Sequence, residues 1–255
     1  MRNSTLRKVL LFSVITIFTL QACRKDDAAM MTPPATPSYS FVEEFDTLEA
    51  AYDRGWRYIN VSDPMGVNGS WTQGLFSNPV ITGLPPIPFA AHSSKGSYVG
   101  YIGAWYFSTS AAAGIISNWV VSPVVTMHNG DKIQFYTRAV LYPLGGGDST
   151  DYANRLQLRM NTKNEGTNVG SGANPGDFTT GLIDINDTYI AAQLSVYDPH
   201  AYPIRWTKFE ATIGGLNGPT KGRFGFRYFV EGGGSNGLAS AVAIDSVAYI
   251  GVGHK

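Results

Sequence analysis

Four carboxylates have the type and placement to do chemistry: Glu43, Glu44 and Asp46 early in the chain, Asp245 near its end. Their oxygens suit Ca²⁺, a hard cation that takes roughly six to eight oxygen ligands. Asp245 is flanked by Ile244 and Val247, and a carboxylate amid apolar strand residues needs either a partner or a metal. It reads equally as a carboxylate that caps a turn at a strand end. A second set combines guanidinium, amide and aromatic groups. Gln134, Tyr136 and Arg138 alternate along one stretch, Arg155, Gln157 and Arg159 along another, and Arg223, Arg227 and Phe229 along a third. Planar donors beside rings are what sugar hydroxyls and sugar faces require; the plain alternative is a solvated face with cross-strand pairs. Trp71, after Asn68-Gly69-Ser70, and Trp105-Tyr106, after Gly103-Ala104, stand beside turn signals where an exposed ring can stack on a ligand.

Cys23, the one thiol of the chain, has a different context. Arg2, Arg7 and Lys8 precede an uncharged run from Val9 to Leu20, and Leu20-Gln21-Ala22-Cys23 closes it. A basic start and an apolar run of about a dozen residues form a secretory signal, too short to span a bilayer. The closing tetrapeptide resembles the lipobox of bacterial lipoproteins, in which the thiol receives a diacylglycerol and cleavage leaves the cysteine N-terminal. Residues 1–22 are therefore expected to be a signal peptide and Cys23 to be lipidated. Arg24-Lys25-Asp26-Asp27 resembles the export tag of Bacteroidetes-type lipoproteins, which implies an outer-membrane protein facing the cell exterior. Residues 23–38, with Pro33, Pro34 and Pro37, read as an extended tether. With its thiol consumed by lipid, the chain has no cysteine left for an internal disulfide.

The elements that must position these groups read as strands. From residue 39 to 255 the chain alternates apolar and polar residues between Gly, Pro, Asn and Asp clusters, and a single domain of this length suits a sandwich. The expected strands are 41–45, 55–61, 97–102, 119–125, 132–141, 155–161, 178–185, 206–213, 223–231 and 241–250, with one helical turn at 48–53. Ile133, Phe135 and Thr137 fall on one face of their strand; Lys132, Gln134, Tyr136 and Arg138 fall on the other. Trp119 and Trp206 read as core residues. The many short strands and 29 glycines favour an all-β antiparallel sandwich over an alternating α/β design.

Several of these stretches carry a family resemblance. Asn118-Trp119-Val120-Val121-Ser122-Pro123 followed by Gly130-Asp131-Lys132-Ile133-Gln134-Phe135-Tyr136-Thr137-Arg138 resembles the signature of the choice-of-anchor J domain, a group related to cleaved-adhesin and MAM-like modules. Asn154 to Arg159, Gly176 to Thr180, Tyr202-Pro203 with Trp206, Gly222 to Phe229 and Ala243 to Val247 extend the match in order over most of residues 39 to 251. The resemblance implies a jelly-roll β-sandwich that is surface-attached, that binds glycan or protein, and that often holds structural calcium. In a jelly roll the first and last strands tend to pair, which would gather Glu44, Asp46 and Asp245 as metal ligands. This chain departs from the pattern at Asp245-Ser246, where the family usually has two acids.

Composition narrows the function classes. Lys plus Arg and Asp plus Glu each number 19, and charged residues make up only 15%, so there is no electrostatic footprint for nucleic acid. Apolar residues at 44% are enough for a core. His92, His128, His200 and His254 are scattered, without zinc spacing, and no nucleophile elbow occurs. The loop Gly145-Gly146-Gly147-Asp148-Ser149-Thr150-Asp151 reads as a hairpin turn without an ordered ligand pattern. A non-catalytic module that recognises an extracellular glycan or protein is expected, with Trp71, Trp105, Tyr106, Tyr136, Arg138, Arg159 and Arg227 as its candidate contacts. The alternatives are a secreted hydrolase or its accessory module, and a structural surface or fimbria-associated component. Cys23→Ser should abolish incorporation of labelled palmitate and release the protein from the membrane fraction; labelling that persists would remove the anchor from this reading.

Overall fold

The computed structural model describes residues 40–67, 69–74, 89–94, 96–196 and 198–252. The signal at 1–22, the tether at 23–38 with Cys23, the proline-rich stretch Pro85–Pro88 and His254 lie outside the described residues.

In chain order the elements are β1 (Phe41–Glu43), α1 (Leu48–Asp53), β2 (Arg57–Asn60), β3 (Thr72–Gln73), β4 (Ile102–Trp105), a 3₁₀ turn (Tyr106–Ser108), β5 (Gly114–Val121) and β6 (Val125–Met127). There follow β7 (Lys132–Ala139), β8 (Tyr142–Gly145), β9 (Asp148–Thr150), β10 (Leu156–Asn161), β11 (Thr180–Ile185), β12 (Thr207–Thr212), β13 (Thr220–Gly233) and β14 (Ala241–Ile250). All the strand pairings between these elements are antiparallel. One sheet runs β12-β7-β14-β4-β3, with β1 also on β14; the other runs β11-β10-β13-β5-β2, with β6 on β13. The chain is an all-β antiparallel jelly-roll sandwich. β8 and β9 form a hairpin belonging to neither sheet.

Period-two patterning accounts for the layers. Along β7 every second residue is buried, from Ile133 through Phe135 and Thr137 to Ala139. These side chains meet Phe224, Phe226 and Tyr228 of β13 and Leu156 and Leu158 of β10 in the core between the sheets. Aromatic rings fill its centre. Phe135 meets Phe226 edge-on at 4.8 Å between centroids, and Trp56 meets Phe45 at 5.0 Å and Phe224 at 5.8 Å. Such edge-to-face contacts add to the burial of large rings.

Local chemistry sets the breaks. Thr47 caps α1 by accepting a hydrogen bond from the Ala50 amide at 3.2 Å, the role for which its short hydroxyl is suited. Pro123 has no amide to give a ladder, and the expected strand 119–125 is two strands here, β5 ending at Val121 and β6 beginning at Val125. At 145–147 three glycines with φ of +88°, +63° and +88° turn β8 into β9, a conformation that glycine adopts without steric cost. The expected strand at 97–102 lies instead at β4, since 97–101 is a turn held by the Ser97 hydroxyl, which accepts from the Gly100 amide at 3.0 Å.

Phe226→Ala should cost about 3 to 5 kcal/mol, the usual range for emptying a large aromatic from a core. Chemical denaturation checks it; a loss under about 1 kcal/mol would mean that the two sheets do not pack through this ring.

Candidate functional site

Asp245 occupies a gap. β4 pairs with Ala241–Ile244 at one end of β14, and β1 pairs with Val247–Tyr249 at the other. Between them the register against β7 shifts and Ser246 takes φ +50°; Asp245 keeps the outward parity of Ala241 and Ala243, and the bulge after it returns Val247 to the core. The Asp245 carboxylate is fully buried. Its Oδ2 accepts from the amides of His92 at 2.7 Å and Ser93 at 3.0 Å, and its Oδ1 from the Ser93 hydroxyl at 3.0 Å and the Ser246 amide at 2.6 Å. Burial pushes this carboxyl up to about 6, against the pull of those donors. At neutral pH it is therefore an anion, held by hydrogen bonds.

The first and last strands do pair, and they bring the expected carboxylates to one loop. Glu44 Oε2 accepts from the Ser246 hydroxyl at 2.6 Å, and Asp46 Oδ1 accepts from the Ser94 hydroxyl at 3.0 Å. Serines thus stand between the three acids. Their donors occupy oxygens that a cation would need, and among the described residues no group of three His, Cys, Asp or Glu could hold a metal ion. Hydrogen-bond donors thus meet one oxygen of Glu44, one of Asp46 and both of Asp245. Glu43 forms two hydrogen bonds with Arg54, at 2.6 and 2.8 Å.

The three Arg, Gln and aromatic faces do not form one surface. β7 lies in one sheet, β10 and β13 in the other, so Tyr136 and Arg138 stand on the opposite side of the sandwich from Arg159 and Arg227. Loops cover both faces. On the β7 side, His92 stacks on Tyr136 at 3.5 Å, Phe89 lies 3.9 Å from the Arg138 guanidinium, and Arg138 donates to the Ile204 carbonyl at 2.9 Å. On the other side, Arg159 donates to the carbonyls of Phe178 at 2.7 Å and Thr179 at 3.0 Å. Arg227 is only 2% exposed. It donates to the Gly172 carbonyl at 2.5 Å and the Ser117 hydroxyl at 2.9 Å, and its guanidinium lies 3.8 Å from the Phe229 ring. Burial pushes Arg227 down to about 9 and Arg138 down to about 10, and both stay cationic at neutral pH. These arginines hold loops in place.

The tryptophans are also interior. Trp71 and Trp105, which stand beside turn signals in the sequence, are 3% and 4% exposed. Trp71 joins the core between the sheets, and Trp105 packs with Tyr101, Tyr142 and Phe89 on the outer side of the β7 sheet. Trp119 is buried, but beneath Val169 and Phe178 on the far side of its sheet. Trp206 is half-buried and donates to the Ala90 carbonyl at 2.8 Å.

Tyr106 has a different setting. It lines a cleft of about 390 Å³ together with Tyr142, Tyr152, Ser235 and Asn236. Three separate segments build the walls: the 3₁₀ turn, the β8–β9 hairpin with its exit, and the β13–β14 turn. Main-chain hydrogen bonds join them. The Tyr106 amide donates to Ser240 at 2.8 Å, the Ala239 amide to Tyr152 at 2.6 Å, and the Asn236 amide to Ala112 at 2.9 Å. Among the described residues that line the cleft, none carries a charged side chain. Sequence reading singled out only Tyr106 here, because Tyr142 and Tyr152 sit singly near a glycine-rich turn. A second cleft, of about 440 Å³, lies along β12 and is lined by Leu194, Val196, Tyr202 and Phe209 among others. None of Glu43, Glu44, Asp46 and Asp245 lines either cleft.

No family model matches the chain, and no curated protein matches it. Solved structures do. The K1 cleaved adhesin domain of Lys-gingipain from Porphyromonas gingivalis W83 is 17% identical, with a TM-score of 0.47, over 84% of this chain and 99% of that one. The K3 cleaved adhesin domain of the same protein is 14% identical, with a TM-score of 0.47, over 82% and 97%. A family 11 carbohydrate-binding module from Clostridium thermocellum, solved with a mixed-linked tetrasaccharide, is 10% identical, with a TM-score of 0.31, over 85% and 90%.

Asp245→Ala leaves three amides and a hydroxyl without their acceptor and should cost about 3 kcal/mol, with faster amide exchange at His92 and Ser93. A change under about 0.5 kcal/mol would show that the bulge does not secure this loop. In the same assay chelation should leave the wild-type melting temperature where it is, since hydrogen-bond donors already meet the charge. A fall of several degrees would show the acids turning to a cation.

Proposed function

We propose that this chain is a lipid-anchored module of the outer membrane, facing the exterior, that recognises an extracellular glycan or protein without transforming it. The anchor rests on Cys23 and the residues around it, and membership of the choice-of-anchor J and cleaved-adhesin group rests on the ordered motifs from Asn118 to Val247. The observation that carries the binding role is the tyrosine-lined cleft between the β8–β9 hairpin and the β13–β14 turn. It is concave, walled by hydrogen-bonded backbone and lined by rings and small polar groups, the usual make-up of a recognition site. The acids that hydrolysis would need are engaged elsewhere: Glu43 with Arg54, Glu44 with Ser246, Asp46 with Ser94, and Asp245 with four donors. A structural calcium beside Glu44, Asp46 and Asp245 would require those acids to release their serine and amide donors.

A second reading, a structural surface component, has its own support. β12 is an outer strand of its sheet, and Leu194 and Val196 beside it are 56% and 60% exposed. Apolar side chains next to an open strand suit a protein partner.

The full chain should retain a ligand in a screen against oligosaccharide arrays and extracellular proteins, with no release of reducing sugar or peptide. Turnover of a polysaccharide or peptide without retention would overturn the proposal. Retention of another surface protein in place of a soluble ligand would favour the second reading.

A further inference from the structure

The cleft between the 3₁₀ turn, the hairpin and the β13–β14 turn holds a second observation. Tyr142 is 8% exposed, its hydroxyl is buried, and that hydroxyl has no hydrogen-bond partner among the described residues. Trp105, whose ring centroid lies 6.3 Å from that of Tyr142, has a buried Nε1 with none either. Leaving a buried polar group unpaired costs about 1 to 3 kcal/mol, and here two such groups lie in one aromatic cluster beside an open cleft.

The chemistry of the lining selects among ligands. The Tyr152 ring stands 6.4 Å from Tyr142 at 51°, and Tyr152 is 39% exposed, so one ring faces solvent while the other forms the floor. Burial, and then the phenols of Tyr106 and Tyr152, raise Tyr142 above the ordinary phenol range, so it stays neutral. With no charged residue among the described residues of the lining, an anion or cation finds no counter-charge from them. A purely apolar ligand would leave the phenol and the side chains of Ser235 and Asn236 unpaired. A neutral sugar satisfies both demands: its C–H face lies on a tyrosine ring, and its hydroxyls, each donor and acceptor, pair with phenol, serine and amide. The volume, about 390 Å³, falls in the range of small-ligand sites, roughly 300 to 1,000 Å³, and gives room for a short saccharide. The backbone hydrogen bonds that join the walls hold the rings in position before a ligand arrives, which lowers the entropy lost on binding.

We infer that this cleft is a saccharide-binding site for a neutral oligosaccharide segment, with Tyr152 as the stacking platform and, as the hydroxyl-reading groups, Ser235, Asn236 and Tyr142, whose ring must turn slightly to uncover its hydroxyl. The inference rests on the binding-module reading and gives it a ligand class and a location.

Neutral oligosaccharides on an array, followed by calorimetry with the best hit, test it on the full chain. Tyr152→Ala, at a partly exposed position, should weaken the hit about tenfold. Tyr142→Phe removes one oxygen and should weaken it about three- to tenfold, with the melting temperature unchanged or raised. Circular dichroism of both variants should match the wild type. A sugar bound with equal affinity by all three proteins would place the saccharide elsewhere and overturn the cleft assignment while the binding-module reading stands. A proline-rich peptide that binds wild type but not Tyr152→Ala, with no sugar bound, would overturn the ligand class. Failure to retain any glycan or protein would overturn the inference together with the reading beneath it.

Discussion

A long loop laid across a sheet brings carbonyl oxygens that no strand ladder can receive, and a buried carbonyl without a donor is costly. This protein meets that constraint with guanidinium groups rising from the sheets. Arg227 and Arg159 serve the loop that carries Gly172, Phe178 and Thr179, and Arg138 serves Ile204 on the opposite side. Asp245 is the complement, an acceptor for loop amides. Each side chain stands at an outward position of a central strand, so the outer faces of the sandwich become seats for irregular backbone. Two of these arginines also lie against rings, Phe229 for Arg227 and Phe89 for Arg138, and stacking gives the buried cation a favourable surface where water is excluded.

The division of β14 between two partners follows from the same economy of edges. β4 and β1 occupy successive halves of one edge of a ten-residue strand, and the bulge at Asp245–Ser246 falls where neither reaches. Asp245 keeps the outward parity of Ala241 and Ala243 and so meets His92 and Ser93, and the extra residue after it re-aims Val247 into the core.

Much of the fold was legible in the sequence, because strands buried on one face advertise a period of two. β7, β10 and β14 lie close to their expected spans, and α1 occupies the expected residues. The pairing of first and last strands followed from the jelly-roll resemblance, and with it the gathering of Glu44, Asp46 and Asp245. Burial of the second face was not legible. Arg227 and Gln157 alternate with apolar residues as solvent-facing groups do, and only the three-dimensional path of the loop after β10 distinguishes a covered polar face from a wet one. The cleft was hidden for a related reason: Tyr106, Tyr142 and Asn236 come from a 3₁₀ turn, a hairpin strand and a strand-connecting turn far apart in the chain, and no local pattern links them. Trp71 and Trp105 show the limit of a turn signal, since proximity to glycine marks a turn but does not say which way a ring points.

The hairpin formed by β8 and β9 shares a ladder with neither sheet, yet it supplies one wall of the tyrosine cleft. Substitutions, insertions and deletions there leave the register of every core strand untouched. Descendants of this chain can therefore vary the shape of this cleft while inheriting the same scaffold, with divergence concentrated in a short glycine-turned appendage instead of being spread through the layers.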